Sequence, residues 1–131
     1  MLAVMNLVRI YECLCDRTRL RIVSLLLGGP LCVCHLQDVL REPQVKISRH
    51  LAYLRRRGMV APERCGQWMI YRLPKTRTPA LEANLACLQD CGREERIFQS
   101  DIARLEKLKR KLGDNCPACV REPSTVPCSN V

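Results

Sequence analysis

Gln44-Val45-Lys46-Ile47-Ser48-Arg49-His50-Leu51-Ala52-Tyr53-Leu54-Arg55-Arg56-Arg57-Gly58 is the stretch from which the rest of the chain can be read. Ile47, Leu51 and Leu54 recur at i, i+4 and i+7, the spacing that lays one apolar stripe along a helix. Lys46, Arg49, His50, Tyr53 and Arg57 fall largely on the other side. Gly58 follows the last periodic residue, where a left-handed cap closes a helix. The pattern predicts a helix over 44–57 with an apolar back and a basic, hydrogen-bonding front. A basic front is often no more than a solvated surface, so the surrounding charge has to decide.

That charge is unevenly spread. The chain carries a net +9 over 131 residues, and residues 41–77 hold ten Lys and Arg against two acids, Glu42 and Glu63, or +8 of the total. Concentration of this kind is the footprint of a polyanion-binding surface. The length allows one domain with a real core and a tail. A 47% apolar composition excludes a disordered chain. Five aromatic residues leave little for stacking on splayed single-stranded bases.

Ten cysteines in so short a chain would suit a disulfide scaffold. Met1 to Ile10, however, has no basic start, long apolar stretch or small-residue cleavage site, and no run reaches transmembrane length. The expectation is a cytoplasmic protein with reduced thiols and no membrane partner, in which paired cysteines signal metal or redox chemistry.

Residues 4–14 read as a first helix with Val4, Leu7, Val8, Tyr11 and Leu14 on its inner face. Asp16 is an N-cap for a second helix over 17–27, apolar almost all round and therefore central. Gly28-Gly29-Pro30 stops it. A third helix over 33–40, with Leu36, Val39 and Leu40 inward, ends at Glu42-Pro43 before the basic helix. Two short helices joined by a tight turn, the second one basic, form the helix-turn-helix pattern.

The period then becomes alternating. Residues 59–64 and 68–73 read as two strands joined by Cys65-Gly66-Gln67, a wing whose tip carries Arg64 and Gln67. Trp68, alone at a strand start, reads as packing rather than a DNA contact. Residues 80–91 form a helix with Leu81, Leu85 and Leu88 on one stripe. Residues 93–112 form another, with Phe98, Ile102, Leu105, Leu108 and Leu112. These stripes lie beyond the winged unit, and a two-fold dimer through the terminal helices would cover them. The predicted fold is mainly α with a small β-hairpin. Residues 1–91 form the winged helix-turn-helix DNA-binding and dimerisation domain, 92–112 a C-terminal helix, and 113–131 a flexible Cys/Pro-containing tail.

Three segments occur in the order of a known family: Leu31-Cys32-Val33-Cys34-His35-Leu36, Ile47-Ser48-Arg49-His50-Leu51-Ala52-Tyr53-Leu54, and Trp68-Met69-Ile70-Tyr71-Arg72-Leu73. With Asp16-Arg17-Thr18-Arg19-Leu20-Arg21-Ile22, the chain resembles the ArsR/SmtB family of winged-helix metalloregulatory repressors over about residues 4–91. Its Cys-Val-Cys run is closest to the arsenic-responsive branch. The resemblance implies a homodimer that binds double-stranded operator DNA when ligand-free and leaves it when As(III) or Sb(III) binds. It implies no cofactor required for folding. The family prototype has a further cysteine where this chain has Gln37.

Cys32 and Cys34 are accordingly the first candidate ligands, since soft thiolates select thiophilic ions. On spacing alone they could equally be small buried hydrophobes. Two residues apart in a regular helix they would point to different faces, so sharing an ion would require a distorted first turn. Cys87 and Cys91, at i, i+4, and Cys116 and Cys119, a C-x-x-C, are possible additional or alternative ligands. Cys13, Cys15 and Cys128 are further thiols, and Cys65 on the wing turn is not counted as a ligand. The close pairs are too scattered for one zinc ribbon.

For DNA, Lys46, Ser48, Arg49, His50 and Tyr53 are candidates for the major groove, and Arg55, Arg56, Arg57 and Arg64 for phosphate. No catalytic residue is expected. A thiol reductase using Cys116 and Cys119 would need a strand-to-helix setting that lowers one thiol's pKa, which a Pro-rich tail lacks. A DNA-binding regulator that senses oxidation through the same cysteines is the remaining alternative.

Overall fold

The computed structural model describes residues 5–113. They form α1 (Leu7–Leu14), α2 (Arg17–Leu26), β1 (Leu31–Cys32), α3 (Val33–Leu40), α4 (Gln44–Arg56), β2 (Ala61–Cys65), β3 (Trp68–Arg72), α5 (Pro79–Gly92) and α6 (Arg96–Leu112). The starts of α1, α2 and α5 follow from side chains that take up orphan backbone donors. Asn6 accepts from the Arg9 N–H at 2.9 Å, Asp16 from the Arg19 N–H at 3.0 Å, and Thr78 from the Leu81 N–H at 3.2 Å with Pro79 in the first turn.

The turn between α3 and α4 is made by Arg41, whose left-handed backbone (φ 56°, ψ 43°) closes α3, and by Pro43, which opens α4. Arg41 donates its N–H to the Gln37 carbonyl at 2.9 Å. At the far end of α4, Gly58 adopts φ 83°. Its N–H reaches the Arg55 carbonyl at 3.0 Å, and the Met59 N–H reaches the Leu54 carbonyl at 2.9 Å. These two bonds make a Schellman cap, which explains why glycine stands at this position.

Ile47, Leu51 and Leu54 are buried as the spacing predicts, in a core shared with Ile22, Leu36, Met59 and Ile70. Each is worth about 1.5–3 kcal/mol of apolar burial. The wing is the expected hairpin, with Cys65 opposite Trp68 across a two-residue loop. Gly66 takes φ 63° there, as a primed hairpin turn requires. Trp68 is half-buried and packs against the core.

A third strand was not predicted. β1 pairs antiparallel with β3, Leu31 opposite Tyr71 and Cys32 opposite Ile70, giving the order β1-β3-β2. Two residues are too few to show a period, so only the pairing reveals it. The architecture is that of a winged helix: helices around a small three-stranded antiparallel sheet.

Three helix faces differ from expectation. On α1, Ile10 and Cys13 are the buried residues, whereas Leu7 and Tyr11 are half exposed and Val8 is 68% exposed. Val4 lies outside the described residues. The helix is apolar on two adjacent strips, and the narrower one fits against α2 and α5. On α5, Leu81, Leu85 and Leu88 were expected to need a second copy. They are buried in the chain's own core, Leu85 to 2% exposure, because α5 closes over α1 and α2. On α6, Phe98 and Leu105 are likewise buried, against α2 and α3, while Ile102 remains exposed.

The α2–α6 contact contains a charge pair that periodicity could not show. Arg21 donates Nε and Nη2 to the two carboxylate oxygens of Asp101, both at 2.8 Å, in a buried setting. Arg104 adds a second cation at 3.6 Å from Asp101 and donates to the Val39 carbonyl at 3.2 Å. The α6 helix is thereby tied to both α2 and α3.

Candidate DNA-binding face and thiol site

The solvent side of α4 is narrower than the sequence suggests. Gln44, Val45, Ser48, Arg49, Ala52, Arg55 and Arg56 are exposed. Arg64 and Gln67 are exposed at the wing. Lys46 is partly covered and pairs with Glu42 at 3.2 Å, a surface pair worth about 0–1 kcal/mol.

His50, Tyr53 and Arg57 lie on the flank of α4 that faces the junction of α1 and α2, and their side chains are engaged there. Arg19 is the hub. Its Nε donates to the Cys13 carbonyl at 3.0 Å and its Nη2 to the Glu12 carbonyl at 3.1 Å, satisfying the open end of α1. Its Nη1 reaches His50 Nδ1 at 3.4 Å, and its guanidinium lies 4.0 Å from the centre of the Tyr53 ring. Arg57 stacks on the same ring at 3.5 Å. Arg57 also approaches Glu12 at 3.5 Å and donates to the Tyr53 carbonyl at 3.4 Å.

Tyr53 is thus held between two cations, each contact worth about 0.5–1 kcal/mol where partly exposed. Burial holds His50 below the usual imidazole range, aided by Arg19, Lys46 and Arg49. The nearby Asp16 carboxylate, 3.9 Å from Nε2, opposes the shift.

Gln44, Val45 and Ala52 were not among the predicted contacts. Gln44 and Val45 lie in the first turn of α4, and the first turns of such a helix are the ones that meet base edges. Val45 and Ala52 present methyl groups, which suit the thymine methyl. The missed signal was the spacing 44, 48, 52, 55, one turn at a time along a single face.

The thiols at the start of α3 come together without distortion of the helix. Cys32 is not in the helix. It sits in β1 and at the α3 N-cap with extended backbone (φ −87°, ψ 163°). The face argument for residues two apart in a helix therefore does not apply, and Cys34 in the first turn can approach it. Cys32 is 2% exposed and Cys34 is exposed, so one donor opens to solvent and the other anchors to the sheet.

His35 joins them. Its Nδ1 lies 3.0 Å from the Cys32 sulfur, and the donor atoms of Cys32, Cys34 and His35 all lie within 4.8 Å of one another. Among the described residues this is the only group of three or more metal-ligating side chains so close. Burial pushes the Cys32 thiol up to about 12, and its hydrogen bond with Cys34 adds to that. Burial holds His35 down, reinforced by Lys109 and opposed by Asp38. The site at neutral pH therefore consists of a protonated Cys32 thiol beside a neutral imidazole. The helix carrying it packs directly against α4.

Of the other candidates, Cys13 is buried in the core, which raises its thiol to about 11, and Cys15 is exposed. Neither joins the cluster. Cys87 and Cys91 stand together on α5, with sulfurs 3.8 Å apart. Cys116, Cys119 and Cys128 lie outside the described residues.

The fold and this face together define a winged-helix DNA-binding protein with a thiol cluster at the root of its helix-turn-helix. The family model for bacterial regulatory proteins of the arsR family matches residues 16–61. The chain is 48% identical over 113 residues to the arsenical resistance operon repressor of Escherichia coli K12, covering 86% of this chain and 94% of that one. It is 42% identical over 100 residues to the arsenic resistance transcriptional regulator ArsR1 of Pseudomonas putida, covering 76% and 77%. The structure of reduced HlyU from Vibrio cholerae superposes with a TM-score of 0.57 at 30% identity, covering 64% of this chain and 85% of that one. The chain belongs to the ArsR family. It is a DNA-binding transcriptional regulator, not an enzyme. No helix among the described residues is long and apolar enough to cross a membrane.

Proposed function

We propose that this protein is a metalloid-responsive repressor, bound to its operator when ligand-free and released when As(III) or Sb(III) is taken up by Cys32 and Cys34. The observation that carries this reading is the Cys32–Cys34–His35 cluster at the start of α3, the helix packed against α4. The names of the E. coli and P. putida relatives support an arsenical as inducer.

The donor set fits the ligand's chemistry. Each bond from arsenous acid to a thiol forms as one hydroxyl leaves with the thiol proton as water. No charge is left in the low-dielectric site, and a protonated Cys32 is a competent reactant. Gln37 offers no sulfur, so the third hydroxyl stays on arsenic, and His35, with Nδ1 3.0 Å from the Cys32 sulfur, stands beside it as a hydrogen-bonding neighbour. Uptake restrains β1 and α3 together, and the neighbouring α4 feels the change. Coupling of this kind is typically worth about 1–3 kcal/mol.

On the DNA side, Ser48 and Arg49 read bases with Gln44, Val45 and Ala52, while Arg55, Arg56, Arg64 and Gln67 hold the backbone. Arg49→Ala weakens operator binding by about 1–3 kcal/mol, the worth of one good base contact. It leaves folding stability within about 0.5 kcal/mol because the side chain is exposed. Arg57→Ala lowers stability instead, since Arg57 links α4 to α1. Fluorescence anisotropy of an operator duplex and urea unfolding separate the two. Unchanged operator affinity in Arg49→Ala would remove α4 from the reading role. Affinity falls steeply with salt, as +8 of the +9 charge lies in residues 41–77.

The functional unit is a homodimer. Its contact is the outward strip of α1, Leu7, Val8 and Tyr11, whose exposure leaves an apolar surface uncovered in the single chain. Leu7→Lys/Val8→Lys yields folded monomers that bind operator poorly, whereas Leu85→Lys unfolds the chain because Leu85 is core. Sedimentation velocity gives the result. An intact dimer of the α1 variant would place the interface elsewhere.

A further inference from the structure

Arg19 joins three helices, and none of the roles assigned above uses that junction. It follows the Asp16 cap by three residues, and the Asp16 carboxylate accepts its backbone N–H at 3.0 Å. That bond fixes where the side chain leaves the first turn of α2. On one side the guanidinium takes up the Cys13 and Glu12 carbonyls, at 3.0 and 3.1 Å, two of the acceptors that α1 leaves open at its C-terminal end. On the other it meets His50 Nδ1 at 3.4 Å and lies 4.0 Å from the centre of the Tyr53 ring. His50 and Tyr53 are one turn apart on α4, next in sequence to the exposed Arg49 and Ala52.

α1 packs against α2 and α5. Arg19, with the Arg57–Glu12 pair at 3.5 Å, carries the connection on to α4. Both links grip the last turn of α1. The exposed strip of the same helix, Leu7, Val8 and Tyr11, is the surface proposed above for the dimer. One short helix therefore bears the dimer contact and, beside it, the anchor of α4.

Two recognition helices engage two half-sites only when held at the separation and rotation of those half-sites. One inserted base pair moves the second half-site by about 3.4 Å. It also turns it by about 34–36°, since a turn of duplex holds about 10–10.5 base pairs. A rigid path from α1 to α4 cannot follow that change, whereas a slack one can. We propose that Arg19 is a positioning residue for DNA binding, which locks α4 to the dimer helix α1 and so fixes the half-site spacing that two copies accept. The proposal rests on the α1 dimer put forward above. Arginine suits the role because its planar fork holds both carbonyls and the imidazole while its face stacks on Tyr53. A lysine ammonium keeps the charge but cannot make that set of contacts.

The test uses the full-length Arg19→Lys protein, with its fold checked by circular dichroism and its dimer by sedimentation velocity. Arg19→Gln, which removes the charge as well as the fork, serves as a second variant. Fluorescence anisotropy is measured on the operator, on the operator with one base pair inserted between its half-sites, and on a single half-site. For the parent, the insertion should cost about 100-fold or more, because simultaneous engagement of two linked sites multiplies affinity by about 10²–10⁴. In Arg19→Lys the affinity for one half-site should stay within about twofold of the parent's, and the insertion penalty should shrink to about tenfold or less as the two-site advantage loses its geometric restriction. Arg19→Gln should lose the penalty likewise.

An equal loss on the half-site and on the operator would make Arg19 a phosphate contact or a local support of α4, and would overturn the proposal. So would an insertion penalty in both variants as large as the parent's. A parent that binds the operator no better than one half-site would remove the dimer reading and this proposal with it. That failure shows in the parent alone, whereas the other two show only in the variants.

Discussion

The double variant Cys32→Ser/Cys34→Ser should bind operator as the parent does and should no longer release it with arsenite. Serine keeps the shape of cysteine but is a poor ligand for a soft ion. The cost to the fold is small at both positions. Cys34 is exposed, and a hydroxyl at position 32 finds His35 Nδ1 where the thiol does, at 3.0 Å. The arsenite effect on operator affinity, about 5–150-fold for a coupling of this class, should fall to none. Replacing Cys116, Cys119 and Cys128 together with serine should leave release in place. Operator anisotropy titrated with arsenite measures both. Normal release from the Cys32→Ser/Cys34→Ser protein, with loss in the tail variant, would transfer sensing to the tail. Release by peroxide with arsenite inert would make the protein an oxidation sensor.

A large stability effect should also come from a polar residue far from the thiol cluster and the exposed face of α4. Asp101 is 1% exposed and takes both hydrogen bonds of the Arg21 fork. Asp101→Ala leaves a buried guanidinium without its carboxylate, and breaking a buried pair in this way costs about 3–5 kcal/mol. Arg104, partly exposed and 3.6 Å away, cannot replace the two direct bonds. Arg104→Ala should cost no more than about 1 kcal/mol. The apolar double variant Arg21→Met/Asp101→Leu should recover most of the loss, because well-packed apolar residues often match a buried ion pair. Urea unfolding followed by circular dichroism gives the three values. A loss below about 1 kcal/mol for Asp101→Ala would mean that α6 is not anchored through this pair.

The α6 anchor also bears on the proposed sensing site. The same helix reaches α3 through the Arg104 bond to the Val39 carbonyl. Loosening α6 should therefore reach the helix that carries Cys34 as well as lower stability.

Much of the architecture is local and was legible for that reason. The buried trio Ile47, Leu51 and Leu54, the Gly58 cap, the Asp16 cap and the hairpin at Gly66 each depend on residues within a few positions of one another. Periodicity and turn chemistry report such features directly. The charge footprint of residues 41–77 needs only counting.

Tertiary structure decided which apolar strip of α1 turns inward. It also decided that α5 covers its own chain rather than a second one, because an amphipathic stripe shows that a face is buried but not against what. Pairing with β3, about forty residues away, made a strand of Leu31 and Cys32 and brought the thiols and His35 together, where helix spacing alone would have separated them. Arg19 drew His50 and Tyr53 toward the α1–α2 junction, and Asp101 found Arg21 eighty positions away. The sequence by itself determined the helices, the wing and the basic surface. The contacts that place the thiols and divide α4 into a supported flank and an exposed face depend on residues distant in the chain, and only the folded chain brings them together.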